Sequence, residues 1–221
     1  MDGHAVTDDG TGLTHRREAI TELGDALRAL VEQATVTEAP TGDLLRAAAG
    51  IRDVIDRLGG RTRDPAALPR ADDLLGGIRL YNPVTGGGSA LAPPLRVEVL
   101  GGTAIGRCTL GMAFEGPPRF AHGGVSAMLL DQLLGHTVVA AGRPGMTVRL
   151  DTAYHAPVPL LTPLLLTAEV REVDGRRVTA TGTIATEAEP GTLLVTATGT
   201  FVGLRADQTR RLFGPVLRPQ P

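Results

Sequence analysis

The stretch AHGGVSAMLLDQLLG, residues 121–135, sets His122, Gly123 and Gly124 at the head of an apolar run and a lone carboxylate, Asp131, inside it. Glycines are weak helix formers, and a carboxylate among Met128, Leu129, Leu130 and Leu133 faces desolvation. Local stability asks for neither, and such a conflict marks a candidate functional site. Backbone N–H groups at a helix start lack intrahelical partners and lie at the positive end of the macrodipole. They form a site for developing negative charge, and the glycines let a substrate approach the backbone. Asp131 supplies a general base or a nucleophile.

Rival chemistries fit less well. Ser126 in GVSAM lacks the second glycine of a nucleophile elbow and lies within the helix instead of at a strand–helix turn. His136 and His155 show no metal-ligand spacing, and the single cysteine, Cys108, excludes an internal disulfide and a cysteine zinc cluster. The GGGS at 86–89 lacks the strand–GK[ST]–helix context of a phosphate loop and reads as a flexible turn.

The elements around the candidate site follow from hydrophobic period. Residues 1–12 read as a frayed tail. Ile20, Leu23, Leu27, Leu30 and Val31 then recur at helical spacing, with Thr14 as the expected N-cap. A second amphipathic helix carries Leu44, Leu45, Ala48, Ile51, Val54, Ile55 and Leu58 and stops at Gly59-Gly60. Together these predict a helical hairpin packed on the main domain or on a partner subunit. A Pro- and Gly-rich connector occupies 61–95. From Leu95 the period becomes two. Two strands separated by Gly101-Gly102 precede the apolar helix at about 122–140, and four strands follow it, with a hairpin signal at Asp174-Gly175. A helix apolar on nearly every side must be enclosed, and a curved antiparallel sheet wrapped round it is the economical α+β solution. The expected divisions are an N-terminal tail and helical extension over 1–75, a main domain over 76–205 and a C-terminal tail over 206–221.

The chain has 221 residues, 42% hydrophobic and 21% charged, with a net charge of −2. That is a globular composition without a basic field for nucleic acid. No secretion signal or membrane-length apolar run is visible, which predicts a cytoplasmic protein without a membrane span.

At this level of detail the sequence resembles the hotdog-fold acyl-CoA thioesterases, in particular the phenylacetic-acid-type and thioesterase-superfamily-member group. The resemblance spans roughly residues 76–205. It is carried by NPVTGGGSALAPPL, by FEGPPRFAHGG, by the spacing from His122 to Asp131, and by MTVRLDTAYHAPVPL. It implies acyl-CoA as substrate and hydrolysis to free acid and CoA, with no metal and no separate cofactor. Asp131 matches the catalytic carboxylate, Gly123 the residue whose N–H polarises the thioester carbonyl, His122 the residue preceding it, and Thr147 the hydroxyl that helps place water. Gly124, Tyr154, His155 and Pro157 fall where substrate would bind, and Arg176 and Arg177 are candidate grips for CoA phosphates. The chain departs from some relatives at Gly116, where they carry Asn. A non-hydrolytic acyl-CoA sensor or carrier on the same fold is the alternative. A hydratase is a third, lacking the Asp–His spacing expected of one.

Gly123 and Asp131 lie eight residues apart, roughly 12 Å along one helix at about 1.5 Å per residue. One thioester carbonyl cannot reach both. A two-fold axis that sets the partner's helix antiparallel solves this, which predicts a homodimer, or a tetramer of such dimers, with shared active sites.

Overall fold

The computed structural model describes residues 10–65, 67–74 and 76–213. The chain runs through α1 (Gly10–Val36), α2 (Thr41–Leu58), β1 (Arg96–Leu100), β2 (Thr103–Thr109), a 3₁₀ turn (Met112–Phe114), α3 (Gly123–Ala140), β3 (Met146–Tyr154), β4 (Pro163–Asp174), β5 (Arg177–Thr186), β6 (Val195–Val202) and α4 (Ala206–Phe213). Among the described residues the strands form one six-stranded antiparallel sheet in the order β1-β2-β4-β5-β6-β3. This is the α+β hotdog architecture expected above. No helix among the described residues is long and apolar enough to cross a membrane.

Period-two patterning sets which strand face meets α3. In β6, Val195, Ala197 and Phe201 are buried and alternate with half-buried residues. From α3, Leu129, Leu130, Leu133 and Leu134 are fully buried against Leu164, Leu166, Ile184 and Val195. Each such side chain contributes about 1.5–3 kcal/mol relative to exposure. The two-residue Gly101-Gly102 turn closes β1 on β2, with both glycines at positive φ. The second hairpin pairs Asp174 with Arg177, so Gly175 and Arg176 are its turn residues.

The N-terminal region departs from the expected hairpin. Thr14 lies inside α1, which begins at Gly10, so it is not the cap. A Cβ on Gly24 would collide with the backbone of Gly87 and Gly88, so α1 seats directly on the GGGS turn. The Arg28 guanidinium donates to Gly87 O at 2.8 Å and Ser89 O at 2.6 Å. The turn read as flexible is therefore the seat of a helix. Glu32 accepts from Met112 N at 2.8 Å and Ala113 N at 3.1 Å, fixing the 3₁₀ turn. By contrast α2 buries none of its residues, and the two helices do not close as a packed pair. The connector is packed as well. Ala71, Val84, Ala92 and Leu95 are buried, and Asp73 bridges to Ile78 across residue 76. The last segment includes α4 over Ala206–Phe213, where a tail is expected, and residues 214–221 lie outside the described residues.

Candidate active site

The loop before α3 aims its first turn. Phe114 O, at the end of the 3₁₀ turn, accepts from His122 N at 2.9 Å, and Ala121 N donates to Val158 O at 2.9 Å. These bonds tie the helix start to the segment that follows β3. His122 is the N-cap, with extended backbone, and its Nδ1 accepts from Gly124 N at 3.0 Å. An acceptor Nδ1 leaves any ring proton on Nε2. Histidine is not among the favoured cap residues, so propensity gives no hint of this role.

Gly124 is expected among the substrate contacts, but its N–H is occupied by His122. The Gly123 N–H makes no hydrogen bond among the described residues and remains the available donor at the positive end of α3. Tyr154, at the end of β3, donates its hydroxyl to Gly123 O at 2.9 Å. Its ring lies so close that a Cβ on Gly123 would stand 3.3 Å from it. Tyr154 thereby clamps the first turn of α3. That contact spans 31 positions of sequence, and no local signal announces it.

Gly116 has a steric reason. A Cβ there would lie 2.7 Å from His122 Cα, so an Asn cannot stand at this position unless the helix entrance moves.

Two turns along α3, Asp131 Oδ1 accepts from Thr147 Oγ1 at 2.9 Å. The helix presents Asp131 at the margin of the core. Its neighbours Leu130 and Leu133 are fully buried, while Asp131 itself is half-buried and Thr147 is exposed in the single chain. The full burial suggested by the surrounding leucines does not hold, because the sheet encloses only part of the helix circumference. Thr147 sits on β3, an edge strand whose Met146, Val148 and Tyr154 are each about half exposed.

Two clusters result. Gly123, His122 and Tyr154 gather at the helix start, with Pro157 in the adjoining segment, and Asp131 and Thr147 pair further along. His155 lies with the first group by sequence, but its Nε2 is 2.9 Å from Thr196 Oγ1, which ties the ring to β6. Arg176 and Arg177 lie in the β4–β5 hairpin beyond the Asp131–Thr147 end. Arg176 Nη1 donates to Gly203 O at 2.8 Å. Ser126 is 1% exposed, which leaves no approach for a substrate in this chain. His136 is held by Gln132, whose side chain also accepts from Asn82 Nδ2 at 3.0 Å. Among the described residues no group of three or more His, Cys, Asp or Glu is placed to hold a metal ion.

The sequence model of the thioesterase superfamily matches residues 119–192. A solved protein described as a thioesterase superfamily protein shares 38% identity with this chain, covering 83% of it and 94% of that structure, with a TM-score of 0.74. The chain belongs to the thioesterase superfamily. The candidate site residues His122, Gly123, Gly124, Asp131, Thr147, Tyr154, His155, Pro157, Arg176 and Arg177 lie within the segment that the superfamily model matches. Curated relatives include the mouse acyl-coenzyme A thioesterase THEM4, 32% identical over 94 residues, which are 42% of this chain and 40% of that protein. The human acyl-coenzyme A thioesterase THEM5 is 26% identical over 98 residues, 44% of this chain and 39% of that one. The match thus spans about two fifths of the length of these curated relatives. The superfamily structure at 0.74 covers too much of the chain to omit the whole N-terminal extension.

Proposed function

We propose that this chain hydrolyses acyl-CoA thioesters to a free acid and CoA. The observation that carries the reading is the 2.9 Å pair between Asp131 on α3 and Thr147 on β3, with the first N–H of that helix, at Gly123, lacking an acceptor among the described residues. Superfamily membership and the names of the curated relatives support it.

In the proposed reaction the carbonyl oxygen of the thioester accepts from Gly123 N–H. Asp131 takes a proton from water as the water oxygen bonds to the carbonyl carbon. The oxyanion that forms is stabilised by the N–H and the helix dipole. It then collapses, the carbon–sulfur bond breaks, and the proton held by Asp131 passes to the leaving thiolate. Direct attack by Asp131, giving a mixed anhydride that water then opens, uses the same atoms. Thr147 keeps one carboxylate oxygen occupied and so orients the other. Tyr154 and His122 hold the donor turn.

The separation of roughly 12 Å between Gly123 and Asp131 along α3 requires two chains. The exposed edge of β3 offers unpaired backbone for a second copy to adjoin, and a two-fold arrangement would set Asp131 of one chain opposite Gly123 of the other.

The test is release of free thiol from a panel of acyl-CoAs of differing chain length, followed with a thiol reagent. Saturable turnover on at least one member is expected. Tight binding of acyl-CoA without thiol release would overturn hydrolysis in favour of a sensor or carrier.

A further inference from the structure

We propose that Glu32, on α1, is a positioning residue for the Gly123 donor, so that the N-terminal extension is part of what makes the site competent. This inference rests on the hydrolytic reading above and deepens it. It gives that reaction a residue far outside the segment 119–192 that the superfamily model matches.

Glu32 precedes Met112 by 80 positions, yet both of its carboxylate oxygens are spent on the 3₁₀ turn. Oε1 accepts from Met112 N at 2.8 Å and Oε2 from Ala113 N at 3.1 Å. The first N–H groups of a helical turn have no partner within it, and a carboxylate suits them in charge as well as in geometry. Gly111 makes room for that carboxylate. A Cβ there would overlap Glu32 Oε2, whereas the φ of −80° and extended ψ of Gly111 are open to any residue. The glycine is therefore explained by Glu32 and not by its own backbone. On its other side the turn is anchored in the core. Met112 and Phe114 pack against the buried cluster, and Leu110 O accepts from Leu161 N at 2.8 Å.

Two contacts carry the position of the turn to the start of α3. Phe114 O accepts from His122 N at 2.9 Å. Gly116, whose N–H donates to Phe120 O at 2.9 Å, lies so close to His122 that a Cβ would stand 2.7 Å from its Cα. His122 Nδ1 in turn accepts from Gly124 N at 3.0 Å, and Gly123 lies between these two residues. Tyr154 fixes the carbonyl of Gly123, and the 3₁₀ turn fixes the residue before it. Together they set the direction of an N–H that has no acceptor among the described residues. A donor to a developing oxyanion acts only at close range, and a misplacement of about 1 Å costs on the order of 10²-fold in rate.

The test is thiol release from acyl-CoA by full-length variants, well below the melting temperature of each. Glu32→Ala removes the carboxylate from one side of the contact. Gly111→Ala expels it from the other side and leaves α1 unaltered, so it reads the same contact should Glu32→Ala fail to fold. Each should lower kcat at least about tenfold while KM changes less than about threefold. The double variant should be no slower than the slower single one, because both lesions remove one contact. Arg17→Ala is the control. It removes the bond from Arg17 Nε to Ala71 O at 2.9 Å, which loosens α1 far from the turn, and should leave kcat unaltered. Hydrogen exchange at the His122 and Gly124 amides, followed by NMR, should quicken in Glu32→Ala and Gly111→Ala and not in Arg17→Ala. Unchanged kcat in folded Glu32→Ala or Gly111→Ala would overturn the proposal. An equal loss of kcat in Arg17→Ala would overturn it too, since any loosening of α1 would then suffice. If the unaltered chain hydrolysed no thioester, the hydrolytic reading would fail. The exchange rates would then decide this proposal alone, quickened amides upholding it and unchanged ones rejecting it.

Discussion

The Thr147 hydroxyl donates to Asp131 Oδ1 at 2.9 Å and ties the edge strand β3 to the middle of α3. A hydroxyl on one carboxylate oxygen fixes the ring of positions open to the other. In the proposed mechanism that second oxygen faces water.

Asp131→Asn keeps the shape and removes the base. Turnover on acyl-CoA should fall at least about 10²-fold, the low end for loss of a general base. Melting temperature should change little, because Asp131 is only half-buried. Thr147→Val should cost about 10- to 100-fold, since a hydrogen bond to a charged group is worth about 1.5–3 kcal/mol. Steady-state rates and thermal melts on the same preparations check both. An Asp131→Asn protein with near-normal turnover removes the carboxylate from the reaction.

Glu32→Ala should destabilise the protein although Glu32 is remote from the Asp131–Thr147 pair. Its carboxylate holds Met112 N and Ala113 N, and Phe114 O in turn accepts from His122 N. Losing bonds of this charge-assisted kind costs about 1.5–3 kcal/mol. Urea unfolding should show that loss, and kcat should fall with it if the 3₁₀ turn positions the helix start. Unchanged stability would mean that the other contacts of α1, among them Gly24 and Arg28 on the GGGS turn and Arg17 on Ala71 O, suffice to hold it.

The central motif was legible because it breaks local rules. Two glycines at a helix start and a carboxylate among leucines each contradict propensity, and both lie at the candidate site. The strands and turns were legible because Gly101-Gly102 and Asp174-Gly175 interrupt period-two runs. The docking of α1 was not read, because it depends on Arg28 and Glu32 reaching backbone groups 59 to 81 residues away. One signal was available. Gly24 interrupts an otherwise helical pattern, and such a glycine often marks close approach of another backbone. The His122 cap and the Tyr154 clamp were hidden for another reason. Capping preferences do not favour histidine, and a tyrosine at a strand end carries no mark of where its hydroxyl will point.

Burial pushes the Cys108 thiol up from 9.0 to about 12. The thiolate is the nucleophile, so iodoacetamide at pH 8 should leave the native chain unlabelled and modify the urea-unfolded chain. The linkage has a definite sign. A thiol with a raised folded pKa contributes its stabilisation fully below pH 9.0, and that contribution is lost as pH rises through about 12. Stability measured from pH 8 to 11 should therefore decline, and Cys108→Ala should decline less steeply. Rapid labelling of the native chain at pH 8 would show that β2 opens without global unfolding.

Gly123 and Asp131 should act on one substrate from different chains. Asp131→Asn removes the base, and Gly123→Val drives a branched side chain against the Tyr154 ring, which a Cβ alone would approach to 3.3 Å. Each variant should be nearly inactive alone. In a mixed dimer, two-fold symmetry places both lesions in one site and leaves the other intact. Equal amounts unfolded and refolded together make about half the dimers mixed, so roughly a quarter of the unaltered activity should return by that symmetry. Joint refolding is needed because a tight dimer exchanges chains slowly. Mass spectrometry under native conditions counts the mixed species, and thiol release reads their activity. Mixed dimers present in the expected amount yet no more active than their parents would place Gly123 and Asp131 of a single chain on the same carbonyl. The roughly 12 Å that separates them along α3 leaves no geometry for that unless the helix itself is broken.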